Sequence, residues 1–380
     1  MKVLLIRTFP SDIQWRRPTY NVQELGLAAA LRRRGVETDV MCCAKDGHAD
    51  SHPVTLGGTT VTLHRMKAFC KVKNNAWFVG TGKLESGYDI LLSGEYNELY
   101  TWHLAKTRRD KLICYHGPYY HPFNRGYNRM AKVFDAFFLR RYKRLKTPFL
   151  TKSEFARSYL EQKGLRRVRT VGVGLDVSFF GKEGALEIAR RKGPLELLYL
   201  GVLTERRNVL FLLDIAKTLK ARGIDYSLTV IGQFGDEDYK RRFWKTVTTH
   251  GLEGTVRHVP LVEQKDLPEV YGKSDIFLFP TRYDIFGMVL LEAMHFGKAV
   301  LSTQNGGSDM LIEDGVNGYA MTEADAEAWA DRICILAARP DLRASIGAEA
   351  KKTVDSRFTW DALSGQFISA FELFLSGKWA

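Results

Sequence analysis

Residues 279–318 read FPTRYDIFGMVLLEAMHFGKAVLSTQNGGSDMLIEDGVNG. The stretch opens on an apolar strand ending at Pro280-Thr281, crosses Asp284-Ile285-Phe286-Gly287, and enters a helix that runs through Glu292 and Ala293. Asp284 lies in the loop ahead of the helix and Glu292 about one and a half turns inside it, so both carboxylates can reach one ligand from different levels. Gly287 permits close backbone approach, and the first free N–H groups of the helix, around Met288 and Val289, can point at a phosphate. Carboxylates are strong acceptors for the vicinal hydroxyls of a ribose or hexose. The bland reading of the same residues is an N-capped core helix with incidental acids.

The segment resembles the donor-binding motif of retaining family 4 glycosyltransferases (GT-B fold, glycosyl transferases group 1), in which two acidic residues are separated by seven others. Its Phe-Gly, Glu-Ala-Met and Gly-Lys-Ala-Val context is similar as well, with Asp284 standing where Glu is usual. The resemblance implies that Glu292 holds the nucleotide ribose, that Asp284 contacts the donor sugar, and that the backbone at Phe286, Gly287, Met288 and Val289 receives the diphosphate.

Outward from this motif, apolar strand-like runs alternate with helical stretches in both halves, which predicts an α/β protein of two Rossmann-like parallel-sheet domains facing a cleft. In the second half, strands are expected at 195–200, 226–231, 255–259, 275–279 and 299–302, with helices over 209–222 and 236–250. In the first half, a strand at 3–6 precedes a helix over 22–34 that stops at Gly35; strands follow at 38–41, 89–92, 112–115, 149–152 and 169–173. The polar stretch 181–194 is read as the linker. Residues 1–185 are then the acceptor-side domain and 186–360 the donor domain, with the helix over 361–380 packing back on the first, as in similar enzymes.

The run Tyr199-Leu200-Gly201-Val202-Leu203-Thr204-Glu205-Arg206-Arg207 places two guanidinium groups at a helix entrance after a glycine turn. A departing nucleoside diphosphate gains negative charge as its glycosidic bond breaks, and fixed cations stabilise that charge more in the transition state than in the ground state. Similar transferases carry Lys at the position of Arg207 and a further cation where this chain has Val202; Arg206 is the residue that can compensate. Ile231-Gly232 ends a strand as the glycine turn does in this family, and the 257–261 stretch ends another near where the resemblance places the nucleotide base; either is equally ordinary strand-end chemistry. The strand Leu112 to His116 resembles the one whose terminal His faces the donor sugar, which makes His116 a candidate sugar contact and Glu95 a looser one. The family's two glycines in its first strand-to-helix turn appear here as Tyr20 and Asn21, and 171–176 resembles its glycine-aspartate turn.

At 380 residues and 45% apolar, the chain can bury two cores. No apolar run reaches eighteen residues and the first residues read as a buried strand, so a cytoplasmic protein is expected. Five cysteines show no metal or redox spacing. The net charge of +13 divides into +17 over residues 1–200 (35 Lys+Arg, 18 Asp+Glu) and −4 over 201–380 (21 and 25). Such a field suits a nucleic acid, an anionic membrane or a phosphate-bearing acceptor, and equally a solvated surface. Within it, residues 125–147, RGYNRMAKVFDAFFLRRYKRLKT, could lie as a basic amphipathic helix on the inner face of the plasma membrane, or pack its aromatics on the sheet with its cations in water.

The expected reaction moves a sugar from a nucleoside diphosphate sugar, UDP preferred over GDP, to a hydroxyl of a glycan or lipid-linked acceptor with retention, in bacterial cell-surface polysaccharide synthesis by resemblance. No Asp-x-Asp motif occurs among the matched elements, so Arg206, Arg207 and helix N–H groups, with no metal and no cofactor, are expected to take the diphosphate charge. The rival readings are a GT-B epimerase or hydrolase, a nucleic-acid-binding protein working through the basic half, and a binding module without turnover.

Overall fold

The structure, a computed structural model, describes residues 1–9, 13, 22–44, 46–72, 75–180, 193–322 and 325–379. The turn containing Tyr20 and Asn21, and residues 181–192 of the expected linker, lie outside the described residues. The chain divides into two units, Met1–Ser178 with Phe358–Ala380, and Phe179–Arg357.

The central apolar runs of the first unit form strands because they are buried on both sheet faces, as parallel strands under helices are. The strands of the unit are β1 (Lys2–Ile6), β2 (Glu37–Cys43), β3 (Asp50–Leu56), β4 (Thr59–Met66), β5 (Ala68–Val72), β6 (Asn75–Phe78), β7 (Ile90–Ser93), β8 (Leu112–His116), β9 (Phe149–Thr151) and β10 (Val168–Thr170). The main sheet has the order β10-β9-β8-β7-β1-β2-β4-β3, and β5 pairs with β6 apart from it. The expectation of a wholly parallel sheet is corrected at one edge, where β3 runs antiparallel to β4. Gly57 and Gly58 both have positive φ, 52° and 77°, as a tight hairpin of the primed type needs. β3 also carries Pro53, tolerated because an edge strand has one unpaired side.

The helix Gln23–Arg33 covers this sheet with Leu25, Leu27, Leu31 and its alanines, and ends at Gly35 with φ 81°. The chain's last helix, Trp360–Leu375, belongs to this unit. It enters by a bridge between Leu175 and Thr359, and Trp360 fills the space left by two glycines: a Cβ at Gly26 or at Gly174 would lie 2.5 Å from the indole. Burying a side chain of this size contributes about 1.5–3 kcal/mol.

The basic stretch is helical over Arg125–Phe134, π-helical over Asp135–Leu139 and α-helical again over Arg140–Leu145. Phe134, Phe138 and Tyr142 recur every four residues, a spacing that the wider π turn keeps on one side. That side faces the unit: Phe134 meets Tyr96, Phe138 meets Trp102, and Tyr142 meets Phe149.

The second unit contains β11 (Leu195–Leu200), β12 (Tyr226–Ile231), β13 (Val256–Val259), β14 (Ile276–Phe279), β15 (Ala299–Thr303) and β16 (Tyr319–Met321), all parallel, in the order β13-β12-β11-β14-β15-β16. The short β16 adds to the expected set; its three residues follow a glycine-bounded turn and carry no apolar run of their own. Phe211, Phe243 and Trp329, from the helices Val209–Ala221, Glu237–Thr249 and Ala326–Ala338, lead one layer of the core. Strand order reverses between β11 and β14. In sheets of this kind ligands bind outside the carboxyl ends of the strands at that reversal.

Candidate functional site

The loops after β11 and β14 rise side by side from that reversal, because the two strands are neighbours in the sheet. After β11, the single turn Glu205–Arg207 ends at Asn208, which is buried with φ 55° and drops the chain into the helix Val209–Ala221. Asn reaches that left-handed conformation more readily than most residues, and it aims the two arginines before it toward the 280–287 loop. Arg207 Nη1 forms an ion pair with Asp284 Oδ2, with both side chains largely buried, and its guanidinium lies 5.8 Å from the centre of the Phe279 ring. Arg206 Nη1 donates to the Tyr283 carbonyl at 2.7 Å, while the Arg282 N–H donates to the Arg206 carbonyl at 3.1 Å. Burial, and after it the charge of Arg207, pull Arg206 below the ordinary guanidinium value; Asp284 opposes them.

The loop then enters the helix Met288–His295 through Gly287, whose φ of 76° puts it in the region that favours glycine. Phe286 is buried, Met288 half-buried and Val289 nearly closed off, so at this helix start the backbone rather than the side chains is what a ligand could meet. Gly201 and Gly232 end β11 and β12 with φ of 147° and 143°, and a Cβ at Gly232 would lie 2.0 Å from the Gly201 carbonyl oxygen. Both glycines are therefore required for the strand ends to approach. Val202, in the place of an expected cation, is half exposed.

Behind the Asp284 loop sits a second support that the sequence reading left unassigned. Gly307 packs so closely that a Cβ there would lie 1.6 Å from the Phe286 carbonyl oxygen, and Gly306 N–H donates to the Asp284 carbonyl at 3.3 Å. Asn305, buried, holds this loop by accepting from the N–H groups of Gly307 and Ser308. The doublet Gly306-Gly307 was the available signal, since adjacent glycines after a strand mark close backbone approach. Gly307→Ala is expected to lower the melting temperature, by an overpacking cost of about 1–3 kcal/mol, because it displaces Phe286 and Gly287. Thermal denaturation checks it.

Glu292 is fully buried one turn into its helix. Its Oε2 accepts from the Tyr271 hydroxyl at 3.2 Å, and Oε1 has no hydrogen-bond partner among the described residues. Burial pushes the carboxyl up to about 8, against a smaller opposing effect of the Tyr271 hydrogen bond. Tyr271 was not foreseen: it lies 21 residues away in a mixed polar stretch, and only the fold brings it to Glu292. A cavity of about 1170 Å³ in this unit lies elsewhere, along β12 and β13 between Ser227, Arg257, Leu261 and Glu269, and none of Arg206, Arg207, Asp284, Gly287 or Glu292 lines it. His258, whose Nε2 lies 2.8 Å from the Gly232 carbonyl, does line it.

His116 ends β8 in the first unit and is described there alone. Its side chain is wholly buried, with Nδ1 2.6 Å from Glu95 Oε2 and the ring stacked on Tyr159. Glu95 also accepts from the Gly117 N–H at 2.9 Å and has Lys152 at 3.7 Å. Burial works to raise the Glu95 carboxyl, but the charges of His116 and Lys152 outweigh it and hold the group below its ordinary value. The looser candidate Glu95 is thus the anchor of His116, and the imidazole has no exposed face for a direct sugar contact in this structure.

Residues 186–353 match the family described as Glycosyl transferases group 1. D-inositol 3-phosphate glycosyltransferase of Saccharomonospora viridis is 28% identical over 204 residues, 51% of this chain and 47% of that protein. Amylovoran biosynthesis glycosyltransferase AmsK of Erwinia amylovora is 32% identical over 144 residues, 36% of this chain and 34% of that protein. The chain spans about half the length of most curated relatives it matches. Among solved structures, Anabaena HepE in complex with UDP superposes with a TM-score of 0.71 at 17% identity, covering 98% of this chain and 100% of that one. Sucrose-phosphate synthase from Thermosynechococcus elongatus does so with 0.72 at 17% identity, covering 99% of both. Residues 186–353 are therefore similar to the glycosyl transferases group 1 domain, in a chain with the two-domain GT-B fold.

Proposed function

We propose that the protein is a retaining glycosyltransferase that moves a sugar from a nucleoside diphosphate sugar, UDP-linked in preference to GDP-linked, to a hydroxyl of a glycan or lipid-linked acceptor. The observation that carries this reading is the meeting of Arg206, Arg207, Asp284 and the Gly287 helix entrance at the strand reversal of the second unit. A diphosphate placed there would compete with Asp284 for Arg207 and meet the free N–H groups of the helix start. The Asp284 carboxylate, no longer paired with Arg207, would then face the sugar hydroxyls, and the unpartnered Oε1 of Glu292 would accept from a ribose hydroxyl. As the glycosidic bond breaks, charge develops on the diphosphate against fixed guanidinium groups, which is where stabilisation lowers the barrier. With those cations present, no metal is assigned a step. The UDP preference is supported by a neighbour of the same fold that binds UDP, and the glycan acceptor by the polysaccharide-synthesis relative.

The test is thermal stabilisation by UDP, GDP, ADP and their sugar conjugates without added metal, followed by product analysis with candidate acceptors. A ligand that binds the folded state alone raises the midpoint, by about 2.7 kcal/mol of stability at a hundred times its dissociation constant. A shift with UDP and UDP-sugars, lost in Asp284→Ala with Arg207→Ala, is expected; no shift with any nucleotide would remove the proposal. Retention is read from the anomeric configuration of the product.

A further inference from the structure

The helical stretch Arg125–Leu145 has an outer face that the sugar-transfer chemistry does not use. Arg129, Lys132, Arg140, Arg141 and Arg144 are all exposed, two of them before the π-helical turn and three after it. None of these five cations has a carboxylate partner among the described residues. The single acid of the stretch, Asp135, is turned inward, where it accepts from the Tyr96 hydroxyl at 2.9 Å and pairs with Lys163. Among these cations stand two apolar side chains with most of their surface in water, Val133 at 58% and Phe137 at 76% exposure. The aromatics that pack on the first unit, Phe134, Phe138 and Tyr142, lie on the opposite side, so Val133 and Phe137 contribute little to the core.

From this face we propose that the protein docks on an anionic lipid bilayer, with the helix lying flat in the headgroup layer, Phe137 and Val133 entering the acyl boundary, and the flanking arginines and Lys132 held against lipid phosphates. Charge complementarity selects an anionic partner, and the exposed apolar pair selects a bilayer among anionic partners. A polynucleotide offers phosphates to the cations but nothing to an aliphatic Val133, whereas a headgroup layer offers phosphate at one depth and hydrocarbon just below it. No helix among the described residues is long and apolar enough to cross a membrane, so the face would hold the protein on the surface. The inference stands on the first unit alone and does not depend on the donor site.

The experiment is sedimentation of the full chain with vesicles of phosphatidylcholine, and of phosphatidylcholine with about one third phosphatidylglycerol. Wild type is expected to bind the mixed vesicles and leave the neutral ones. Each basic residue at an anionic surface is worth about fivefold in affinity, so the double variant Arg140→Glu/Arg141→Glu is expected to lose at least tenfold. Phe137→Ser is expected to weaken binding severalfold at low salt and more at high salt, where only the apolar part resists screening. All three positions are exposed, so the melting temperature should not move, which separates lost docking from lost folding. Equal binding to neutral vesicles overturns the proposal. So does a Phe137→Ser protein that binds mixed vesicles as wild type while a single-stranded oligonucleotide displaces it, a result that would make the face a site for polyanions in solution.

Discussion

Arg207→Ala is expected to lower sugar transfer by about 10²–10³-fold, the cost of removing one fixed group aimed at charge that develops in the transition state. The loss should fall mainly on kcat, with a smaller loss of nucleotide affinity, because the diphosphate is already charged before the bond breaks and gains further charge as it leaves. Asp284, with a largely buried side chain, is paired with Arg207. Removing the guanidinium takes the ion-pair partner from that carboxylate, so the variant is also expected to melt lower, by the roughly 1.5–3 kcal/mol of a hydrogen bond to a charged group. Arg207→Ala/Asp284→Ala should recover part of that stability and none of the turnover, since the two substitutions share one partnership and cannot add. Arg207→Lys separates charge from shape: a point charge keeps attraction to the diphosphate but loses the planar fork, and an intermediate rate is expected. Steady-state kinetics beside thermal melts, on the same four proteins, reads all of these. If Arg207→Ala kept full kcat, the charge of the leaving group would have to be met elsewhere.

The parts of this molecule that were legible in its sequence are those where local pattern and global fold agree. Parallel strands under helices are buried on both faces, so runs such as LELLYL and YSLTVI announce themselves, and Trp360–Leu375 shows its helix by length and its limits by Thr359 and Gly377. The β3–β4 hairpin is absent from the sequence reading: its alternation is weaker than the continuous runs around it, and Pro53 stands inside β3. At the site, the 279–318 motif named the Asp284 loop and Glu292, but the pairing of Arg207 with Asp284 spans 77 positions and follows from strand order, which no local period carries. Tyr271 is further from view, because a tyrosine on a helix of six residues reads as ordinary packing until the fold turns its hydroxyl onto a carboxyl. His116 shows the opposite case: its strand-end position was plain, and its complete burial against Glu95 and Tyr159 was not.

Nucleotide binding is expected to strengthen with rising pH up to about 8 and then level off, with Glu292 as the titrating group. Burial raises its folded value well above the ordinary 4.5, so the empty protein holds the group neutral at pH 7. Ribose hydroxyls donating to the carboxylate favour its charged form, so binding must release a proton below that pH, and affinity gains at most about tenfold per pH unit across the window. The nucleotide's terminal phosphate also titrates, near pH 6, which is why the comparison is made with Glu292→Gln: that variant keeps the shape, cannot ionise, and should retain only the phosphate's contribution. The unliganded protein supplies an independent reading with the opposite sign. A carboxyl raised on folding is lost to ionisation first in the unfolded chain, so its contribution to stability is present below about 4.5, declines as pH rises, and is gone above about 8. Glu292→Gln carries no such slope and should therefore be more stable than wild type at pH 8 while binding nucleotide less tightly. Calorimetric titration of UDP and thermal melts across pH 5–9 give the two curves. Parallel curves for wild type and Glu292→Gln in both measurements would show that Glu292 neither titrates in this range nor meets the ligand, and the ribose contact would have to be sought along the 280–287 loop instead.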